Sequence, residues 1–99
     1  MDIQNMLIKA IDEKKMINFI YDDKPIRKAS PHAIYISSAG NKNLDAFQYE
    51  GFSKTGNLPS WRNFKLSKIE NIEVLSEHFE IADGYKSESP KYRNFIHKI

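Results

Sequence analysis

The first fifteen residues have the apolar spacing of a short amphipathic helix. Apolar side chains recur every three or four positions, at Ile3, Met6, Leu7, Ala10 and Ile11. Asp2 precedes this pattern and belongs to a residue type that caps helix N-termini. Because such a helix has one apolar face, it must pack on another element. We expect that element to be a sheet formed by the residues that follow.

The next sixty residues alternate short apolar runs with turn-forming residues, a pattern typical of β-strands. We predict strands at residues 16–21, 26–30, 32–37, 44–52, 61–66 and 72–75. Pro31 should separate the second strand from the third, because proline has no N–H to donate to a sheet ladder. Short strands about ten residues apart, with turns between them, indicate a mainly β barrel or sandwich rather than an α/β fold.

The last ten residues have the signals of a second short helix. Ser89 followed by Pro90 is typical of a helix N-terminus. Apolar residues then share one helical face, at Tyr92, Phe95, Ile96 and Ile99. We therefore predict a C-terminal helix over about residues 90–99. Two roles stay open for it, since Tyr92 and Phe95 either cover the sheet or pack on a partner protein.

The composition is that of one folded domain. The chain has 99 residues, 40% of them apolar, and we expect a single domain with its β core at about residues 16–79. It has no cysteine, which excludes disulfides and thiolate zinc sites and fits a cytoplasmic protein. No apolar run approaches the roughly 18 residues of a membrane span, and no signal sequence follows Met1. We expect a protein without a membrane segment.

The charge is distributed unevenly along the chain. Residues 24–68 hold eight basic and two acidic residues, a net charge of +6. Residues 1–23 hold three basic and five acidic residues, and residues 69–99 four and six, so each flank is −2. Clustered Lys and Arg raise the local concentration of phosphates and carboxylates. The basic middle therefore indicates either an anion-binding surface or ordinary solubility charge on the strands.

Three groups of residues, in this order, resemble the WYL domain family of bacterial regulators. They are the helix that ends in Ala10-Ile11-Asp12-Glu13-Lys14-Lys15 with the strand closing on Tyr21, the segment Arg27-Lys28-Ala29-Ser30-Pro31, and the segment Arg62-Asn63-Phe64-Lys65-Leu66-Ser67-Lys68-Ile69. The resemblance implies a small five-stranded barrel of the Sm or SH3-like type. Lys42-Asn43-Leu44 stands where the family has its naming tripeptide, and Lys68 stands in place of an arginine.

The resemblance also implies a basic, partly aromatic surface that binds an anionic ligand, a nucleotide or nucleic acid, and tunes an effector. The candidate residues are Arg27, Arg62 and Lys68 for charge, with Tyr21 and His32 for stacking or hydrogen bonding. Arginine can pair with a phosphate through two hydrogen bonds, and an aromatic ring can stack on a base for roughly 1–3 kcal/mol. The ammonium of Lys68 lacks this forked geometry.

Most of these residues also have a structural interpretation. Tyr21 could be a core ring, His32 a turn histidine bonded to backbone, and Arg27 or Arg62 a surface cation paired with Asp22 or Glu50. Trp61, next to Arg62, is either a cover over the core or an exposed stacking platform. The sequence leaves both interpretations open at each position.

The sequence favours a protein that is not an enzyme. His32, His78 and His97 lack the short spacings of a typical metal site, and the four glycines form no phosphate loop. We therefore expect no catalytic residues, no metal and no cofactor.

Two functions remain. The first is a ligand-sensing module that acts without chemistry. The alternative is a protein-interaction module, for example a regulator from a phage or mobile element, that docks through its terminal helices. The chain could in addition form a homodimer, either by pairing of strand edges or through these helices.

Overall fold

The computed structural model describes residues 2–53 and 56–99. Its elements in chain order are helix α1 (Ile3–Glu13) and the strands β1 (Lys15–Tyr21), β2 (Arg27–Ile36), β3 (Lys42–Gly51), β4 (Ser60–Lys65), β5 (Ile69–His78) and β6 (Phe95–Lys98). Two 3₁₀ turns, Leu66–Lys68 and Pro90–Tyr92, precede β5 and β6. The prediction of a mainly β domain with an N-terminal helix is confirmed.

The six strands form one antiparallel sheet. Its order is β4-β3-β2-β1-β5, and β6 pairs with β2 outside this path. The expected barrel has five strands, whereas this sheet has six. It is not closed, since its end strands β4 and β5 do not pair with each other among the described residues. The result is a barrel-like curved sheet.

Helix α1 packs on one face of the sheet. Asp2 caps it by accepting a hydrogen bond from the Asn5 N–H at 2.8 Å, and Lys14 ends it in a left-handed conformation with φ 52°. The helix and the sheet bury one apolar core, whose members are Leu7, Ala10, Ile11, Ile17, Phe19, Ala29, Ile34, Leu44, Ala46, Phe64 and Ile69. The apolar spacing of the helix is thus explained by packing on the sheet, as predicted.

Strand β2 continues through Pro31, so the prediction of two separate strands at this point is wrong. The β2–β3 register shifts between Pro31 and Ala33, which marks a local irregularity where a residue without an N–H is tolerated. On its other side, β2 pairs with β1 up to Ala29 and with β6 from Ala33 onward. Pro31 therefore lies between two pairing partners and interrupts neither ladder.

The predicted C-terminal helix is also wrong beyond its first turn. Ser89 caps the 3₁₀ turn with its side chain, and Pro90 occupies the first position, as the sequence indicates. The chain then extends into β6, which pairs with residues 33–35 of β2. Ten residues make a marginal helix in isolation, whereas β6 satisfies backbone groups of β2 that β1 does not reach.

Strands β3 and β4 present two different faces. Their inner face, toward α1, carries Leu44, Ala46 and Phe64. Because side chains alternate along a strand, Asp45 and Asn63 belong to the outer face. The polypeptide after β5 covers this outer face, and its Tyr92 is buried there.

Candidate functional site

Arg27, at the start of β2, is a buried cation surrounded by aromatic rings. Only 8% of the residue is exposed. Its guanidinium carbon lies 5.1 Å from the ring centre of Tyr21, 5.3 Å from that of Phe52 and 5.4 Å from that of Phe64. Such contacts favour a cation without neutralising it. We call these four residues, together with Arg62, the Arg27 site.

No carboxylate forms an ion pair with Arg27 among residues 2–53 and 56–99. Glu50, a partner considered from the sequence, lies 3.7 Å from Lys28, and Asp22 lies 3.8 Å from Lys68. Burial lowers the pKa of Arg27 below its ordinary value, and the positive charge of Arg62 acts in the same direction, whereas Tyr21 and the carboxylate of Asp22 act against them. A buried charge is costly unless it is paired, and the Arg27 guanidinium has only this partial compensation among the described residues.

Tyr21 and Arg62 complete this site. The Tyr21 hydroxyl accepts a hydrogen bond from the Lys65 N–H at 3.0 Å, and its ring packs edge-on against Phe64 at 4.9 Å. Arg62 lies opposite Ala46 in the sheet, on the inner face, and its Nη2 donates to Ser53 Oγ at 2.7 Å. The structure therefore brings Tyr21, Arg27 and Arg62 together at one end of the sheet.

Four buried side-chain polar atoms of the described residues have no hydrogen-bond partner. They are Arg27 Nε, Asn43 Oδ1, Gln48 Oε1 and Ser60 Oγ. Gln48 and Ser60 face each other across β3 and β4, and the next pair on that face is Ala46 with Arg62. Buried polar groups without partners are uncommon in folded proteins, and three of these four belong to the inner face.

Lys68 lies at the margin of this region. Its carbonyl accepts a hydrogen bond from the Asp22 N–H at 3.0 Å, and its ammonium is 3.8 Å from the Asp22 carboxylate. Both side chains are about half exposed, so this ion pair is weak and easily exchanged for another anion.

His32 lies apart from the other four candidate residues. It is fully buried on β2, and its ring contacts Trp61, Phe79 and Tyr85 at 4.8–5.1 Å between ring centres. Nδ1 donates to the Ser30 carbonyl at 2.9 Å, and Nε2 accepts from the Ala82 N–H at 3.0 Å. Burial lowers the pKa of His32, which favours this neutral form. Both nitrogens are occupied, as the backbone-bonded interpretation predicts.

The outer face holds a second polar cluster, which the sequence analysis did not identify. Asp45 is only 4% exposed, and its Oδ1 accepts from the Tyr35 hydroxyl at 3.2 Å and from Asn63 at 2.9 Å. Its Oδ2 accepts from the Tyr92 hydroxyl at 2.8 Å and from the Lys91 ammonium at 2.6 Å. We call these five residues the Asp45 cluster. Every oxygen of the carboxylate is bonded, so the cluster stabilises the fold.

Beside this cluster lies a cleft of about 300 Å³. Its lining includes Trp61, Arg62, Tyr85 and Lys86 in addition to members of the Asp45 cluster, so Arg62 contributes to this cleft as well as to the Arg27 site. The Trp61 indole N–H donates to the Asp83 carbonyl at 2.8 Å, and its ring contacts His32, Phe47 and Tyr85. Trp61 is therefore a half-buried packing residue of the outer face.

The sequence contained a signal for one of the two buried polar residues of β3 that were not predicted, Gln48 and Asp45. Gln48 is in phase with Leu44 and Ala46, so it is a polar residue at a predicted core position. Asp45, by contrast, falls at an outward-facing position of an alternating strand, where a carboxylate is ordinarily solvated. Only the path of the distant C-terminal segment buries it.

The described part of the chain has no metal-binding cluster and no membrane-spanning helix. Its His, Asp and Glu side chains form no group of three that could hold a metal ion. It contains no helix with the length and apolar character needed to cross a bilayer.

Comparison with known proteins shows the fold. No family model matches the chain, and no curated protein matches it. A solved structure of Proteasome accessory factor B/C (PafBC) of Arthrobacter aurescens, which contains a WYL domain, is similar to it, with a TM-score of 0.67 and 20% identity. The match covers 85% of this chain and 13% of the PafBC chain. This likeness supports a WYL-like fold.

Proposed function

We propose that this chain is a non-catalytic, ligand-sensing module that binds an anionic ligand, a nucleotide or nucleic acid, at the Arg27 site. Arg27 supplies the buried charge, Arg62 and Lys68 supply further charge toward the rim, and Tyr21 supplies an aromatic surface. His32 holds the C-terminal segment in place and is not among the proposed contacts. Binding then changes the activity of an attached or partnering effector.

One observation carries this proposal: the Arg27 guanidinium is buried and lacks a carboxylate partner among the described residues. A cation whose role is structural is expected to be paired, as the Lys91 ammonium is with Asp45. An arriving phosphate would offset the cost of burying the guanidinium, and it would also relieve the repulsion between Arg27 and Arg62.

The test is a titration of nucleoside monophosphates and labelled single-stranded oligonucleotides at about 50 and about 200 mM salt. The chain's single tryptophan, Trp61, precedes Arg62 and gives an intrinsic fluorescence signal. We expect binding that weakens steeply with salt and falls at least tenfold in Arg27→Met, which removes the charge and keeps most of the volume. Arg62→Met should have a smaller effect in the same direction.

Arg93→Met is the matched control, because Arg93 is exposed and belongs to the turn before β6. It should bind like the unchanged protein. Absence of binding at low salt, or equal binding by the Arg27→Met and Arg93→Met variants, would contradict the proposal.

A second candidate, a protein-interaction module, is favoured by one apolar patch. Phe95 is 51% exposed and Ile36 38% exposed, and they are neighbours because the Ile36 N–H donates to the Asn94 carbonyl at 3.0 Å. Deleting residues 88–99 would not test this function cleanly, because Tyr92 and β6 are integral parts of the fold. Phe95→Glu is the sharper variant, and a partner captured equally well by this variant would count against the patch.

A further inference from the structure

We infer that two copies of this chain associate head to tail, with an apolar, basic patch of one copy seated in an apolar, acidic groove of the second copy. The patch consists of Ile36, Phe95, Arg93 and Lys98, and we call it the Phe95 patch. The groove contains Ile81. The inference rests on the second candidate function, for which it names the partner, and it is independent of the Arg27 site.

The Phe95 patch combines exposed apolar side chains with cations that lack partners. Phe95 is 51% exposed and Ile36 38% exposed. The Lys98 ammonium lies 4.8 Å from the centre of the Phe95 ring, and Arg93 is exposed two residues before Phe95. Neither cation forms an ion pair within residues 2–53 and 56–99. Such a surface complements one that is apolar and acidic.

The groove supplies the apolar half of that complement. Its volume is about 600 Å³, and its lining includes Ile81, Phe47, Tyr49 and Phe79. Ile81 is 48% exposed, and the rings of Phe47 and Tyr49 are half-buried, with their centres 5.2 Å apart. A phenylalanine that enters such a groove can pack edge-on against these rings.

The groove also supplies the opposite charge. Lys28, the one lysine of its lining, is bonded to the Glu77 carboxylate at 2.6 Å. Glu80 and Asp83, on either side of Ile81, are exposed and form no ion pair in the described part of the chain. Two carboxylates therefore remain for a basic partner, and the Phe95 patch offers two cations.

The segment around Ala82 is held in place by main-chain hydrogen bonds. The Ala82 N–H donates to His32 Nε2 at 3.0 Å, and the Asp83 carbonyl accepts from the Trp61 indole N–H at 2.8 Å. The side chains of Glu80 and Asp83 take no part in these bonds. Their substitution therefore tests the surface of the groove and keeps the contacts that position it.

The patch and the groove lie toward opposite ends of the β2–β3 ladder. Ile36 pairs with Lys42 at one end, whereas Phe47, in the groove, pairs with Ser30. The distance along β2 from Ser30 to Ile36 is roughly 20 Å, at about 3.3 Å per residue. One copy therefore cannot place its patch in its own groove. Because each copy has both surfaces, two copies can form the contact twice.

The first experiment is sedimentation velocity of the full chain, from about 1 to about 500 µM protein at about 50 mM salt. We expect reversible association, with a Kd that rises severalfold at about 300 mM salt because exposed charges are then screened. A monomer at the highest concentration would overturn the inference. The anion site at Arg27 would be unaffected, and a different protein would remain as the partner in the second candidate function.

Substitutions on the two surfaces locate the contact. Phe95→Glu should raise the Kd at least tenfold, because it places a carboxylate against the acidic groove. Ile26→Glu is its matched control, since Ile26 is 53% exposed and belongs to neither surface. It should leave association unchanged. Arg93→Glu, in an exposed turn, replaces Phe95→Glu if circular dichroism shows that Phe95→Glu does not fold.

The double variant Glu80→Lys, Asp83→Lys should raise the Kd at least tenfold from the side of the groove. Glu70→Lys with Glu73→Lys makes the same change of charge at exposed positions of β5 that do not line the groove, and should have no effect. Association that survives both the patch and the groove substitutions would place the interface elsewhere and overturn the inference.

A mixture of the patch variant and the groove variant tests the head-to-tail arrangement. The patch variant retains an intact groove, and the groove variant retains an intact patch, so one complete contact can form only between the two. We expect dimers in the equimolar mixture at concentrations where each variant alone is a monomer. A mixture that stays monomeric there would overturn the inference.

Discussion

Two buried charges of this domain have opposite surroundings. The Asp45 carboxylate accepts four hydrogen bonds, one of them from an ammonium, whereas the Arg27 guanidinium has aromatic neighbours and an unpartnered Nε. The first arrangement stabilises a folded chain by itself. The second leaves the guanidinium without an ion pair among the described residues. The sequence made Arg27 a candidate because of the segment in which it lies, whereas Asp45 is buried and bonded only through residues far along the chain.

The hydrogen bond from Tyr92 to Asp45 should contribute more to stability than the bond from Tyr85 to Ile99. Tyr92→Phe removes a buried bond of 2.8 Å to a carboxylate and should cost about 1.5–3 kcal/mol of unfolding free energy. Tyr85→Phe removes a longer, partly buried bond to the Ile99 oxygen at 3.2 Å and should cost about 0.5–1.5 kcal/mol. Urea denaturation of both variants measures the difference, and equal losses would show that the burial and short length of the Tyr92–Asp45 bond add nothing to stability.

The burial of His32 should make the domain less stable in mild acid. Burial lowers the pKa of His32 below its ordinary value of 6.5. As the pH falls below about 6.5, the unfolded chain binds a proton that the folded chain does not, so unfolding becomes easier by up to about 1.4 kcal/mol per pH unit. Above about pH 6.5, His32 is neutral in both the folded and the unfolded chain and no longer lowers the free energy of unfolding. Urea melts between pH 5 and pH 8, in about half-unit steps, test this.

His32→Gln should flatten this part of the pH profile. His78→Gln, at an exposed position, should leave it unchanged. A profile that keeps its full slope in His32→Gln would assign the acid sensitivity to other groups.

At the scale of elements, the sequence predicted most strands because their alternation is local. The failures both involve β2. Pro31 was expected to end a strand, but a proline is tolerated where one neighbouring strand replaces another. Residues 95–98 were expected to be helical, but the unpaired edge of β2 offered them a better set of hydrogen bonds. Both outcomes depend on which strands lie beside β2 in the folded sheet. The residues around Pro31 and around Phe95 do not show this, so no local sequence pattern could have predicted it.

The end of β3 fixes the position of Arg27, and Gly51 should be essential for it. A Cβ at Gly51 would collide with the Ile26 carbonyl oxygen and lie 2.6 Å from the Arg27 Cα, and its φ of +104° disfavours other residues. Gly51→Ala should therefore cost about 2–5 kcal/mol. It should also weaken anion binding, because the start of β2 must shift.

Gly40→Ala is the matched control. Gly40 also has a positive φ, +83°, but a Cβ there meets nothing within 4 Å. It should cost only about 1–2 kcal/mol and leave binding unchanged. Thermal denaturation and the nucleotide titration measure both effects, and equal losses in the two variants would contradict the close approach of β3 to β2.

At the scale of the whole molecule, the sequence predicted the fold class, a mainly β domain with an N-terminal helix. It predicted only some of the residues of the candidate Arg27 site. Tyr21, Arg27 and Arg62 lie near one another because β1 ends where β2 begins and β4 follows β3 in the sheet beside them. The ring contact of Phe52 with Arg27 and the unpartnered atoms of Gln48 and Ser60 were not predicted, because they depend on how distant segments meet in the fold. That property exists only in three dimensions.

Removing residues 94–99 should destabilise the entire domain. The deletion exposes the edge of β2 at residues 33–35 and removes the hydrogen bond between His97 and Asp12 of α1. A loss of about 1 kcal/mol lowers the Tm of a domain of this size by about 4–8 °C. We expect the deletion to cost at least about 1 kcal/mol, and therefore to lower the Tm by at least about 4 °C. Circular dichroism melts measure it, with Phe95→Ser as a control that keeps the strand. An unchanged Tm would mean that β6 is dispensable.

The pairing of β6 with β2 also affects when the domain can fold during synthesis. Ala33 pairs with Lys98, about 65 residues later in the chain. The pairing of β2 with β6 therefore cannot form until nearly the whole described sequence has left the ribosome. Contacts of such long separation slow folding, because the intervening chain must first lose its conformational freedom. Until then, one edge of β2 is an open strand in a crowded cell, and a chaperone or a neighbouring nascent chain can reach it first.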